Sequence, residues 1–280
     1  VYDFRNYRYQ LGSVQEVGNV YPKYYLKAFY DGMTAEGDTM PISLIRSAWA
    51  GSAKYGALVW SGDIVSTFEC FRRQVQAGLN MAIAGIPWWT TDIGGFHGAR
   101  TDDPDFHRLY IRWFEYGCFC PVMRLHGNRN PQEGYGAEQI GSGSDNEIWS
   151  FGDKAYEISK KYIFLRERLR DYIRTQMKKA HEDGTPMMRP VFYDFPTDQE
   201  SWNVEDAYLF GPDLYVAPVM EDHVTEREVY LPDGTAWFNA WTGEKYEGGQ
   251  NVTVAAPMDI IPVFVREGAD TEHLLNIFSE

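Results

Sequence analysis

Between residues 22 and 192, short apolar runs alternate with stretches of helical periodicity, and that rhythm leaves few architectures open. The apolar runs fall at 42–45 (ISLI), 58–60 (LVW), 81–87 (MAIAGIP), 120–125 (CPVMRL) and 187–192 (MMRPVF). Helical spacing marks 22–37, 66–79, 105–116 and 153–181. The runs are apolar at successive positions, as expected of strands covered on both faces. Strand–helix alternation with short connections predicts a parallel sheet with covering helices. Five strands suit an open sheet or a (β/α)8 barrel lacking its first strands. After about residue 207 the helical spacing stops. Short runs at 208–211, 214–218, 227–231, 236–239, 251–255 and 260–265 are punctuated by turn signals such as Pro-Asp-Gly at 232–234. The sequence thus predicts an α/β portion at 1–206 and a small antiparallel β domain at 207–280.

Composition narrows the partners. Lys and Arg number 26 against 40 Asp and Glu, a net charge of −14. Such a surface repels phosphate backbones and anionic headgroups, so neither nucleic acid nor a membrane is expected as partner. No apolar run reaches the ~18–20 residues that span a bilayer. Aromatic residues make up 16% of the chain, which fits a neutral ligand such as a sugar, whose C–H faces stack on rings. Cys70, Cys118 and Cys120 are too few and too badly spaced for a disulfide framework or a zinc site, and read as buried apolar residues. No H-x-x-x-H, G-x-S-x-G or G-x-G-x-x-G is present, so neither a metal nor an organic cofactor is expected. The Gly-, Asn- and Pro-rich stretch 127–143 reads as a long loop, and Gly-Ser-Gly-Ser at 141–144 as flexible chain rather than a phosphate cradle.

Four polar clusters follow the predicted strands. Arg46, in SLIRSAWAG, places a permanent cation at a strand end, as a clamp on a hydroxyl or carboxylate or as a structural ion pair. Trp60-Ser-Gly-Asp63 brings an aromatic, a glycine turn and a lone carboxyl together. Partial burial beside Trp60 would keep that carboxyl protonated, as a general acid requires; alternatively Asp63 caps the next helix. Residues 87–98 (PWWTTDIGGFHG) hold two Trp, Asp92, Phe96 and His97, the composition of a sugar pocket or of a core. In MRLHG (123–127), His126 either donates to a ligand hydroxyl or is an ordinary satisfied polar group.

Their order is more specific than any one of them. RSAWAGSAKYGALVWSGD, AGLNMAIAGIPWWTTDIGGFHG, RWFEYGCFCPVMRLHG and GTPMMRPVFYDFP resemble, in that order, the second half of the catalytic barrel of glycoside hydrolase family 31. That family contains retaining α-glucosidases and α-xylosidases. LFGPDLYVAPV and APMDIIPVFVREG resemble its C-terminal β domain, so the resemblance runs over about 18–268. It implies the later strands of a (β/α)8 TIM barrel followed by a small antiparallel β-sandwich. It implies Asp63 as the general acid/base, with Arg46, Trp60, Asp92, Phe96 and His126 contacting substrate. The expected ligand is an oligosaccharide or small α-glycoside.

The family's nucleophilic aspartate has no counterpart here. Before Arg46 the acidic residues are Asp3, Glu16, Asp31, Glu36 and Asp38, none of which follows an apolar strand. Retaining chemistry needs two carboxyl groups roughly 5–5.5 Å apart. The expectation is a C-terminal part of a retaining α-glycosidase, cut at both ends, that is inactive by itself. A non-catalytic carbohydrate-binding module is the alternative; a structural domain with no sugar site ranks behind both. A partial barrel would also leave strand edges open, predicting self-association or repacking.

Overall fold

Three strands lie side by side and point the same way. In the computed structural model, Ser43–Ile45, Ala57–Trp60 and Trp89–Thr90 form a parallel sheet in that order, with Ile45 opposite Val59 and Trp60 opposite Thr90. Residues 4–133, 142–268 and 270–279 are described. Asp3 and residues 134–141, which include part of the expected loop and the first Gly of the Gly-Ser-Gly-Ser stretch, lie outside them. The helix Phe68–Ile83 carries the chain from the second strand to the third. Thr67 caps it, accepting from Cys70 N at 3.1 Å. Phe71, Val75 and Leu79, four residues apart, bury one face of it.

The helix Pro104–Cys118 lies deepest. Asp103 caps it, Pro104 opens it, and most of its circumference is buried. It carries a buried cation, Arg112, which donates to the carbonyls of Pro257, Ile260, Val224 and Ala256 and to Glu115. These bonds tie the barrel portion to the C-terminal domain. Arg108 adds two bonds to Asp222, at 2.7 and 2.9 Å.

The C-terminal sheet has six strands, antiparallel at every pairing, in the order Lys245–Glu247, Ala236–Asn239, Val263–Arg266, Leu214–Val216, Tyr208–Phe210 and Met188–Arg189. Strand alternation sends Leu209, Tyr215 and Phe264 to one face, where they pack with Val229, Leu231 and Val254 of the ribbon Glu226–Leu231/Gln250–Ala255. Tyr208, Phe210, Leu214, Val216, Val263 and Val265 join the main core on the other face. The helix Thr271–Ser279, not expected from the sequence, closes that side; Phe278 lies 5.1 Å from Trp241 and 6.3 Å from Phe119, centroid to centroid.

Several expected elements differ. The apolar run 81–87 is not a strand: the helix runs on to Ile83 and the third strand is Trp89–Thr90. A short apolar run cannot by itself separate strand from buried helix end. Residues 120–125 run beside Trp89 without forming a ladder, with only Val122 N on Trp89 O and Arg124 O accepting from Ile93 N, each at 3.2 Å. Pro121 has no N–H to give. The carbonyls of Cys118, Cys120 and Pro121 are taken instead by Arg166. The run 187–192 contributes only Met188–Arg189, and that strand pairs antiparallel with Tyr208–Phe210. The long helix 153–181 is two, Gly152–Arg168 and Arg170–Glu182, which meet at Leu169. Cys118 and Cys120 are buried as expected, whereas Cys70 is only partly covered.

The other side of the parallel sheet is open. Ser43–Ile45 is an edge strand, and the helix Tyr21–Ala35 buries only Leu26. Tyr21, Tyr25 and Phe29 stand half exposed along it. Among the described residues no helix is long and apolar enough to cross a membrane.

Candidate active site

A parallel sheet delivers its loops to one edge, and the candidate residues follow from that. Arg46 comes directly after Ile45, Asp63 three residues after Trp60, and Asp92 two after Thr90. All leave C-terminal strand ends, where (β/α) barrels build their sites.

Gly62, at φ +80°, turns the chain so that Asp63 faces Arg46, whose Nη2 lies 3.7 Å from the Asp63 carboxylate. The two side chains are 44% and 67% exposed, so the expected partial burial of Asp63 is not what the structure has. The capping alternative does not hold either, because Thr67 occupies that position.

Asp92 is the opposite case, with no solvent exposure. Arg124 donates to its Oδ1, while Oδ2 is buried without a hydrogen-bond partner among the described residues. Burial pushes the carboxyl up to about 6, and the charge of Asp63 adds to the rise; Arg124 and Arg129 oppose it. Trp60 lies under the Arg124 guanidinium, 5.9 Å from ring centroid to Cζ. Phe96 is half-buried and tilts against His126 at 5.4 Å. His126 is held below its ordinary range, by burial first and then by Arg124 and Arg129, with Asp63 pulling the other way. The six residues singled out in the sequence therefore fall into three contacting groups, Arg46 with Asp63, Trp60 and Asp92 around Arg124, and Phe96 with His126.

Sequence reasoning passed over Arg124 and Arg129. Arg124 lay inside the MRLHG motif, and the Asp of the DIGGF motif, on the adjacent segment, was the signal of a partner. Ser61 Oγ and Thr91 Oγ1, at neighbouring strand ends, are buried without hydrogen-bond partners among the described residues, as is Asp92 Oδ2. Buried unpaired polar atoms are uncommon in folded proteins, and these three lie on one edge. A groove of about 500 Å³ lies elsewhere, in the C-terminal domain between Glu200, Asn203, Asp206, Glu228, Tyr230 and Gln250. It includes none of the six.

Residues 3–176 match the glycosyl hydrolases family 31 TIM-barrel domain, and residues 184–269 match the C-terminal domain of that family. The chain is 37% identical over 260 residues to an alpha-xylosidase of Saccharolobus solfataricus, covering 93% of this chain and 34% of that protein. It is 33% identical to alpha-glucosidase 2 of Bacillus thermoamyloliquefaciens, over 91% of this chain and 30% of that protein. The structure is similar to the crystal structure of an alpha-xylosidase from a soil metagenome complexed with xylose, with a TM-score of 0.94 and 55% identity. That similarity covers 98% of this chain and 42% of the other. The chain thus spans about a third of the length of these two curated relatives. The barrel-domain match, which takes in more than half of the chain, and the C-terminal match behind it place this protein in glycosyl hydrolase family 31.

Proposed function

We propose that these residues are the later part of a retaining α-glycosidase acting on α-xylosides or α-glucosides, with Asp63 as the general acid/base. The observation that carries this reading is the pairing of Asp63 with Arg46 at 3.7 Å, on a strand-end edge shared with Asp92 and His126. Arg46 orients the carboxyl and donates to a sugar hydroxyl. Asp63 protonates the departing glycosidic oxygen, then takes a proton from the water that releases the sugar. Trp60 and Phe96 supply apolar faces for the ring, and Asp92 and His126 receive its hydroxyl groups. The xylose-bound relative at 55% identity favours an α-xyloside as substrate.

The nucleophile in this reading lies on a barrel strand outside these 280 residues. Without that nucleophile the residues support sugar binding but not turnover, so by itself the chain behaves as a carbohydrate-binding unit. The edge strand Ser43–Ile45 and the exposed Tyr21, Tyr25 and Phe29 are then covered by the first part of the barrel, and by a second copy when that part is missing. The test is an assay with α-xylosyl fluoride beside calorimetry with xylose. Binding without hydrolysis is the expected result; brisk hydrolysis by the 280 residues overturns the placement of the nucleophile. Light scattering showing a monodisperse monomer overturns the self-association.

A further inference from the structure

Arg129 is fully buried, and among the described residues no carboxylate pairs with it. A guanidinium taken out of water must have its N–H groups satisfied or the fold loses stability. Here every nitrogen is used. Nε donates to Asn146 Oδ1 at 2.7 Å, Nη1 to Gly95 O at 2.7 Å and Ser66 Oγ at 3.4 Å, and Nη2 to Ile93 O at 3.1 Å. The ring of Phe106 lies beneath, 4.7 Å from its centroid to Cζ. Three chain segments therefore converge on one side chain: 61–66, 92–97 and the stretch at Asn146.

The glycines around it match its path. A Cβ at Gly127 would sit 2.5 Å from the Arg129 Cζ, and one at Gly94, where φ is +84°, would sit 3.1 Å from Nη2. Gly94 of DIGGF and Gly127 of RLHG leave room for the guanidinium, while Gly95 lets the loop approach Ser66. The two loops it joins also bond to each other, with Phe96 N and His97 N both on Ile64 O and Ser66 N on His97 O.

We infer that Arg129 is the positioning residue of this site: its guanidinium pins the 92–97 loop to the 61–66 loop and so fixes Asp92 and Phe96 relative to Asp63. This deepens the proposed function, since it rests on the 92–97 loop belonging to the sugar site. The positive charge, without a carboxylate of its own, also favours the ionised form of Asp92. Lysine would keep the charge but cannot reach carbonyls on several segments at once.

The test uses the whole chain with Arg129→Lys and Arg129→Met. Amide exchange is read at Gly95 and Phe96, and the Asp92 carboxyl is titrated by carbon NMR. In both variants exchange at Gly95 and Phe96 is expected to rise at least ten-fold, while the Glu226–Leu231/Gln250–Ala255 ribbon keeps its protection. In Arg129→Met the Asp92 titration moves to higher pH, and Arg129→Lys restores it. A folded Arg129→Met with unchanged loop exchange and unchanged Asp92 titration overturns the inference. So does protection lost equally in the ribbon, which marks a general structural role. Should Arg129→Met fail to melt cooperatively, Arg129→Lys decides alone: unchanged exchange at Phe96 overturns the inference. None of these readouts needs a bound sugar. Wild-type chain that ignores xylose would count against the proposed function and leave the clamp standing.

Discussion

Arg124 reaches the fully buried carboxylate of Asp92 and engages one oxygen, leaving the other without a hydrogen-bond partner among the described residues. A half-satisfied buried carboxylate is a costly arrangement for a fold alone. It gives Asp92 a titration that can be measured.

Burial raises Asp92 from 3.8 to about 6, so the folded protein holds this proton more tightly than the unfolded chain does. The stabilisation from that proton is complete below 3.8 and is lost as pH rises through about 6. Asn at this position does not titrate. Relative to Asp92→Asn, the wild-type unfolding free energy should fall by about 3 kcal/mol between about pH 3.5 and about pH 7. Denaturant melts of both proteins at the two pH values check this; parallel behaviour contradicts it.

Glu115, on the helix Pro104–Cys118, offers a second titration. It is fully buried against Arg112, and burial pushes it up to about 8 from 4.5 in spite of that cation. The same sign applies: its contribution is present below 4.5 and lost as pH rises through about 8. Glu115→Gln should therefore gain stability relative to wild type on going from mildly acidic to alkaline solution. Because Arg112 also holds four carbonyls of the C-terminal domain, near-ultraviolet circular dichroism during the melts should show both domains responding together.

Arg46 and Asp63 are both well exposed, and exposed ion pairs contribute little to stability. Arg46→Met should change the unfolding free energy by less than about 0.5 kcal/mol. Its proposed work is on the ligand, where losing a charged hydrogen bond weakens xylose binding about ten-fold or more. A thermal melt and a calorimetric titration on the same sample separate the two. A large loss of stability with intact binding contradicts the assignment.

The fold was legible where periodicity and position agree. The strands at 43–45 and 57–60, the helix from 68 and the antiparallel C-terminal strands all carry their pattern locally. The 120–125 segment misled because its apolar run suits a strand, while Pro121 and the reach of Arg166 decide otherwise. Met188–Arg189 looked like one more parallel strand because direction within a sheet is set by distant partners, here Tyr208–Phe210. The six candidate residues were legible as polar and aromatic clusters after apolar runs. Arg124 and Arg129 were not, because a cation's partner is a contact across the fold: Asp92 stands 32 residues before Arg124, and Gly95 stands 34 before Arg129.

If Asp63 supplies the proton to the departing oxygen, its loss must be felt according to the leaving group. In a full-length protein bearing these residues, hydrolysis is compared between wild type and Asp63→Ala. For an α-xyloside with a poor leaving group, turnover should drop by about 10²–10⁴-fold, the usual worth of a general acid. For α-xylosyl fluoride, whose departure needs no proton, the drop in the glycosylation step should be small. Equal turnover by the two proteins on the poor leaving group contradicts the account.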